Sequence, residues 1–132
     1  MAAPLDPGEL AWSYFALLGD GDVEGAAALL DDDGTWWTCG GRQEIPMRRH
    51  KELFPQVMSR LPLAFERRST LVAGDTVVLE LRSHAELPDG QRYDNVYAFV
   101  VETRDGRLLH VREYNDTAHL AKVAPAIKAL YA

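Results

Sequence analysis

The chain has 132 residues, 47% of them hydrophobic, and a formal net charge of -6. One domain spanning residues 1–132 is expected, since a chain of this size can hide about two thirds of its unfolded surface. The acidic balance argues against sustained nucleic-acid binding, which needs a basic patch longer than Arg67-Arg68.

No run approaches the roughly 18 apolar residues of a membrane span, and the first ten residues lack the basic and apolar regions of a secretory signal. Cys39 is the single cysteine and cannot form an internal disulfide, which fits a reducing, cytoplasmic setting.

Asp6-Pro7-Gly8-Glu9 predicts the start of a first helix, with Asp6 as cap, Pro7 in the first turn and Glu9 completing a capping box. Leu10, Tyr14 and Leu18 follow at helical spacing, with Leu17 beside them. Gly19-Asp20-Gly21-Asp22 ends that helix and caps a second over residues 23–30, which Asp31-Asp32-Asp33-Gly34 should stop. Thr35-Trp36-Trp37-Thr38 predicts a short strand, broken by Gly40-Gly41. A third helix is expected over residues 45–61, bent or split at Pro55.

Strands are predicted over residues 63–72, 76–87, 92–103 and 108–115. Their turns are Ala73-Gly74-Asp75, Pro88-Asp89-Gly90 and Arg104-Asp105-Gly106. Asp116-Thr117 can cap a last helix over residues 118–130. Helices followed by a meander of strands give an α+β domain in which helices cover one face of a curved antiparallel sheet.

Side chains alternate between the faces of a strand. Tyr93, Asn95, Tyr97, Phe99 and Val101 therefore share one face, and Leu109, Val111, Glu113 and Asn115 share another. Both sets run from apolar near their common turn to polar at the far end, as a pocket wall with a dry floor would. Glu80, Arg82 and His84 also share a face, opposite Val77, Leu79 and Leu81. If it lines the pocket, Arg82 would lie between the Glu80 and Glu113 carboxylates. If not, it is a solvated polar face. His50, beside Arg48, Arg49 and Lys51, is expected in solvent. The four histidines show no metal-ligand spacing, and no nucleotide-loop or serine-elbow motif occurs.

Several strings carry a resemblance: Tyr14-Phe15-Ala16-Leu17-Leu18, Gly21-Asp22-Val23-Glu24-Gly25, Leu29-Leu30-Asp31-Asp32-Asp33, Tyr93-Asp94-Asn95-Val96-Tyr97, Arg104-Asp105-Gly106-Arg107 and Arg112-Glu113-Tyr114-Asn115-Asp116-Thr117. With the element order, they resemble the SnoaL-like polyketide cyclases of the nuclear transport factor 2-like superfamily. The resemblance implies a cone-shaped α+β barrel, with three N-terminal helices packed on a strongly curved antiparallel sheet, and a homodimer formed through that sheet. It also implies chemistry without a cofactor or metal. In the similar ketosteroid isomerases, the functional tyrosine, base and late-strand acid fall at Tyr14, Thr38 and about Tyr97. In limonene-type epoxide hydrolases, the charged triad falls at Glu80, Arg82 and Glu113, and the water-holding pair at Trp36 and Thr38.

The resulting expectation is an enzyme that moves protons on a hydrophobic, oxygenated small molecule, polyketide- or terpenoid-like. Glu113, Arg82 and Glu80 are its candidate catalytic residues. Tyr14, Trp36, Thr38, His84, Tyr93, Asn95, Tyr97 and Asn115 are candidate substrate contacts. The alternative is a non-catalytic binding or dimeric interaction domain. Val77, Leu79 and Leu81, with Val96, Ala98 and Val100, are expected to form an apolar sheet face that a second copy covers.

Overall fold

The computed structural model describes residues 5–129. Four helices, α1 (Pro7–Gly19), α2 (Val23–Ala28), α3 (Met47–Arg60) and α4 (Thr117–Ala129), accompany six strands. These are β1 (Leu30–Thr38), β2 (Gln43–Pro46), β3 (Ala64–Ala73), β4 (Thr76–Glu86), β5 (Arg92–Arg104) and β6 (Arg107–Asn115). The strands form one curved sheet in the order β2-β1-β6-β5-β4-β3. It is an α+β fold, with helices packed on the curved sheet. No helix of the described residues is long and apolar enough to cross a membrane.

Local chemistry accounts for the frame. The Asp6 carboxylate accepts from the Glu9 N–H at 3.0 Å, and Asp22 does the same for Gly25 at 2.8 Å, so both early helices start on capped turns. Asp105 and Gly106 both have positive φ, 50° and 74°, the geometry of a tight hairpin between β5 and β6. Tyr14, Phe15 and Leu18 of α1 pack against Val77, Leu79, Phe99, Val101 and Val111 from the sheet in one buried cluster.

Three expectations are corrected. The Asp31-Asp32-Asp33 run does not end a helix in a loop; it lies within β1, with Asp32 and Asp33 exposed. Residues 43–46 form strand β2, paired with β1 at the sheet edge, and α3 starts after Pro46. The sheet is mixed, since β1 runs parallel to β6 while the other pairs are antiparallel. Pro55 lies inside a continuous α3, and Pro125 inside α4. Position 130, the expected end of the last helix, lies outside the described residues.

One glycine is required by close approach. Register slips between Leu30 and Thr35 on the β1 side, where Gly34 faces the backbone of Leu109. A Cβ on Gly34 would lie 1.6 Å from the Leu109 carbonyl oxygen, so no other residue fits without moving backbone. Leu109 is itself skipped in the β5–β6 pairing, where Glu102 opposes His110 and Thr103 opposes Leu108. This bulge makes Leu108, not Leu109, the fully buried residue, and leaves Val111, Glu113 and Asn115 facing the helices.

Candidate active site

A cavity of about 230 Å³ opens between the inner face of the sheet and the helices. Phe15 of α1, Phe54 and Val57 of α3, Leu61 just after that helix, and Leu120 of α4 close it on the helical side. Trp36, Phe65, Tyr93, Tyr97, Phe99 and Glu113 line it from the sheet, with Leu63 completing the wall. Glu113 is the one carboxylate among these lining residues.

The Glu113 carboxylate is held from both sides. Trp36 Nε1–H donates to one oxygen at 3.3 Å, and Asn115 Nδ2–H donates to the other at 2.9 Å. Burial raises its pKa above the usual carboxylate range, and the two donors oppose that rise without cancelling it. A carboxylate lifted in this way is a stronger base when ionised and keeps its proton nearer neutral pH, which general acid/base chemistry needs.

Trp36 is fixed by what stands behind it. The His50 ring stacks on the indole, centroids 3.8 Å apart and planes within 6°. His50 also stacks on Phe54 at 5.1 Å. His50 Nε2 meets the Tyr14 hydroxyl at 3.3 Å. Burial depresses the His50 pKa to about 3, so the ring is neutral. The expectation of a solvated His50 is thus corrected. His50 occupies the buried stripe of α3 with Met47 and Met58, while Arg48 and Arg49 point outward. The spacing 47, 50, 54, 58 carried that signal, but the flanking basic residues obscured it.

A chain of hydroxyl groups forms the second polar feature. Ser83 Oγ and Tyr97 Oη are 2.9 Å apart, and Tyr97 and Tyr93 Oη are 3.1 Å apart. Asn95 Nδ2–H donates to Tyr93 Oη at 3.0 Å. Burial raises the pKa of both tyrosines, so they stay protonated. Ser83 was not anticipated, although its alternation with Val77, Leu79 and Leu81 predicts its burial.

The structure divides the anticipated residues into three groups. Trp36, Tyr93, Tyr97 and Glu113 line the cavity. Tyr14, Asn95 and Asn115 support lining residues through hydrogen bonds or packing. Thr38, half-buried at the end of β1, does not line the cavity, and Glu80, Arg82 and His84 face the other way.

That last placement corrects the shared-hollow expectation and the sheet-face expectation together. Val77, Leu79, Leu81 and Ser83 are at most 1% exposed, so alternation turns Glu80 and Arg82 to solvent. Glu80 accepts from Ser69, and His84 bridges Asp94 at 2.9 Å and Glu66 at 3.4 Å. Arg82 registers with Glu66 and Val96, while Glu113 registers with Phe99 and faces the helices. Arg82 and Glu113 therefore lie on opposite sides of the sheet. The apolar demand of the core decides the matter, because turning Arg82 inward would put three large aliphatic side chains in water.

Solved structures share this architecture. An epoxide hydrolase of the LEH-like type from M. tuberculosis is 21% identical, with a TM-score of 0.78 over 95% of this chain and 94% of that one. PrhC from Penicillium brasilianum is 15% identical, with a TM-score of 0.80 over 94% and 91%. The candidate polyketide cyclase IdmH from Streptomyces antibioticus is 14% identical, with a TM-score of 0.78 over 91% and 99%. At these identities the likeness establishes the fold. No curated protein matches the sequence. The profile of the SnoaL-like domain matches residues 12–111, most of the described fold and all of the cavity wall but Glu113 and Leu120. The chain belongs to the SnoaL-like domain family.

Proposed function

We propose that this protein is a small-molecule enzyme in which Glu113 moves a proton on a hydrophobic, oxygenated ligand held in the cavity. The supporting observation is the position of Glu113: a lone carboxylate in the lining, surrounded by rings and aliphatic chains, its pKa raised by burial. Isomerisation, cyclisation and hydrolysis all begin or end with such a transfer, and polyketide- or terpenoid-like carbon skeletons suit the apolar walls. Trp36 and Asn115 act as positioning residues for the carboxylate. Glu80 and Arg82, on the outer face, have no part in this reading.

The test follows the proton itself, whichever product forms. A panel of apolar ketones is incubated with the protein in D₂O, and deuterium entry at acidic carbons is followed by NMR. The expected result is catalysed exchange for at least one ligand class, lost on Glu113→Gln. A panel that binds without exchange favours a non-catalytic binding domain instead. One feature of the site already speaks for that second reading: each Glu113 oxygen has a donor in place.

We further propose a homodimer through the outer sheet face. There Val96 and Tyr114 are 44% and 43% exposed, and Tyr114 packs on Trp37 at 5.1 Å. The strip is narrower than expected, because Val77, Leu79 and Leu81 belong to the core. Light scattering at micromolar concentration is expected to give twice the chain mass; a monomer mass removes this part of the proposal. Free Cys39 accords with the cytoplasm as its location.

A further inference from the structure

Ser83, Tyr93 and Tyr97 carry one hydroxyl proton each, and they share two contacts, Ser83 with Tyr97 and Tyr97 with Tyr93. A contact between two hydroxyls uses one proton. One of the three protons therefore has no acceptor in this chain of groups.

Asn95 cannot take it. Its Oδ1 accepts from the backbone N–H of Val96 at 2.8 Å and of Asp116 at 3.2 Å, which fixes the orientation of the amide. Its Nδ2–H then faces Tyr93 as a donor, at 3.0 Å. Asn115 Oδ1 does not take it either, since that oxygen is buried without any partner.

The surplus proton can rest on Ser83 or on a tyrosine. Ser83 is 0% exposed and absent from the cavity wall, so an idle O–H there would be sealed in the core, a costly arrangement. Tyr93 and Tyr97 both line the cavity, where a ligand can accept it. The favoured direction of donation runs from Ser83 to the tyrosines and out into the cavity.

We propose that the Tyr93–Tyr97 pair is a hydrogen-bond donor site for a ligand carbonyl oxygen, and that the cavity selects largely apolar ketones over oxygen-free molecules of the same shape. The apolar character follows from the walls, where Phe54, Phe65 and Phe99 stand beside Val57, Leu61 and Leu120. The inference deepens the function proposed above. It requires that the cavity take a ligand, and it does not require that Glu113 transform it.

Calorimetry on the full chain tests it with aryl methyl ketones and the matching α-methylstyrenes, in which C=CH₂ replaces C=O. The ketone of each pair is expected to bind about tenfold more tightly. Tyr93→Phe and Tyr97→Phe, made singly, each leave one tyrosine hydroxyl able to donate, so the preference survives both. The double variant removes the donor, and the preference falls to about twofold or less while alkene affinity holds. Glu113→Gln keeps the preference, which separates failure of this inference from failure of the proton-transfer reading. Should the double variant not fold, the infrared carbonyl stretch of the ketone bound to the wild type decides: it is expected below its frequency in alkane. Equal affinity for ketone and alkene, no ketone binding, an unshifted carbonyl stretch, or a preference retained by a folded double variant each overturns the proposal.

Discussion

On the cavity side of the sheet, the Glu113 carboxylate sits among rings with both oxygens held by donors. On the outer side, Glu80, Arg82 and Asp94 stand in water, and Arg112 pairs with Glu102 at 2.9 Å with both side chains about two-fifths exposed. Charges are thus abundant where solvent screens them and scarce where nothing does. The outer face identifies little, because an exposed pair gains almost nothing from being there. The inner carboxylate is different: keeping it lowers stability, so its presence calls for another explanation.

That contrast can be broken from either side. The largest effect belongs to Glu113→Gln, expected to slow proton transfer by about 10²- to 10⁴-fold, measured as deuterium entry into a bound ketone. The same change should stabilise the fold. A carboxyl with a raised pKa in the folded state contributes least once ionised, so wild-type stability falls as pH rises through that pKa. Glu113→Gln is therefore expected to gain stability relative to wild type as the pH is raised, by urea unfolding.

Next comes His50. Its pKa drops from 6.5 to about 3 on folding, so the unfolded chain binds the extra proton between those values. Stability should fall by about 3–5 kcal/mol as pH drops through that window. His50→Phe should flatten the slope, and an unchanged slope would show that His50 is not the group responsible.

Gly34→Ala presses a methyl group into the Leu109 carbonyl and should cost about 1–3 kcal/mol, seen as a lowered melting temperature. Smallest of all are Glu80→Ala and Arg82→Ala, expected within about 0.5 kcal/mol in stability and twofold in exchange rate. A large loss of exchange in either would mean that the outer face takes part in function after all.

Much of the fold was legible in the chain. The Asp6 cap, the Asp105–Gly106 hairpin and the polar-to-apolar gradient from Tyr93 to Val101 are local signals, and each acts locally in the structure. What escaped was set by distant partners. β2 is four residues with little strand character of its own, formed by pairing to β1, and the parallel contact of β1 with β6 leaves no trace in either segment. For β4, alternation showed that Arg82 and Leu81 face opposite ways but not which one faces inward. The aliphatic residues decide that, and they outweighed the resemblance to limonene-type epoxide hydrolases, which had grouped Glu80 and Arg82 with Glu113. His50 was hidden for the converse reason, a buried polar ring flanked by exposed cations.

Pro55 gives α3 a division of labour. A proline has no N–H to offer the Lys51 carbonyl, so the helical ladder lacks a rung between the turn bearing His50 and the last turn, which bears Val57 and leads to Leu61. The first part braces Trp36, and so the carboxylate; the second shapes the space a ligand fills. Exchanging Val57 or Leu61 for bulkier or smaller neighbours can resize the chamber while the brace stays intact, an arrangement under which one buried carboxylate can face chambers of different size.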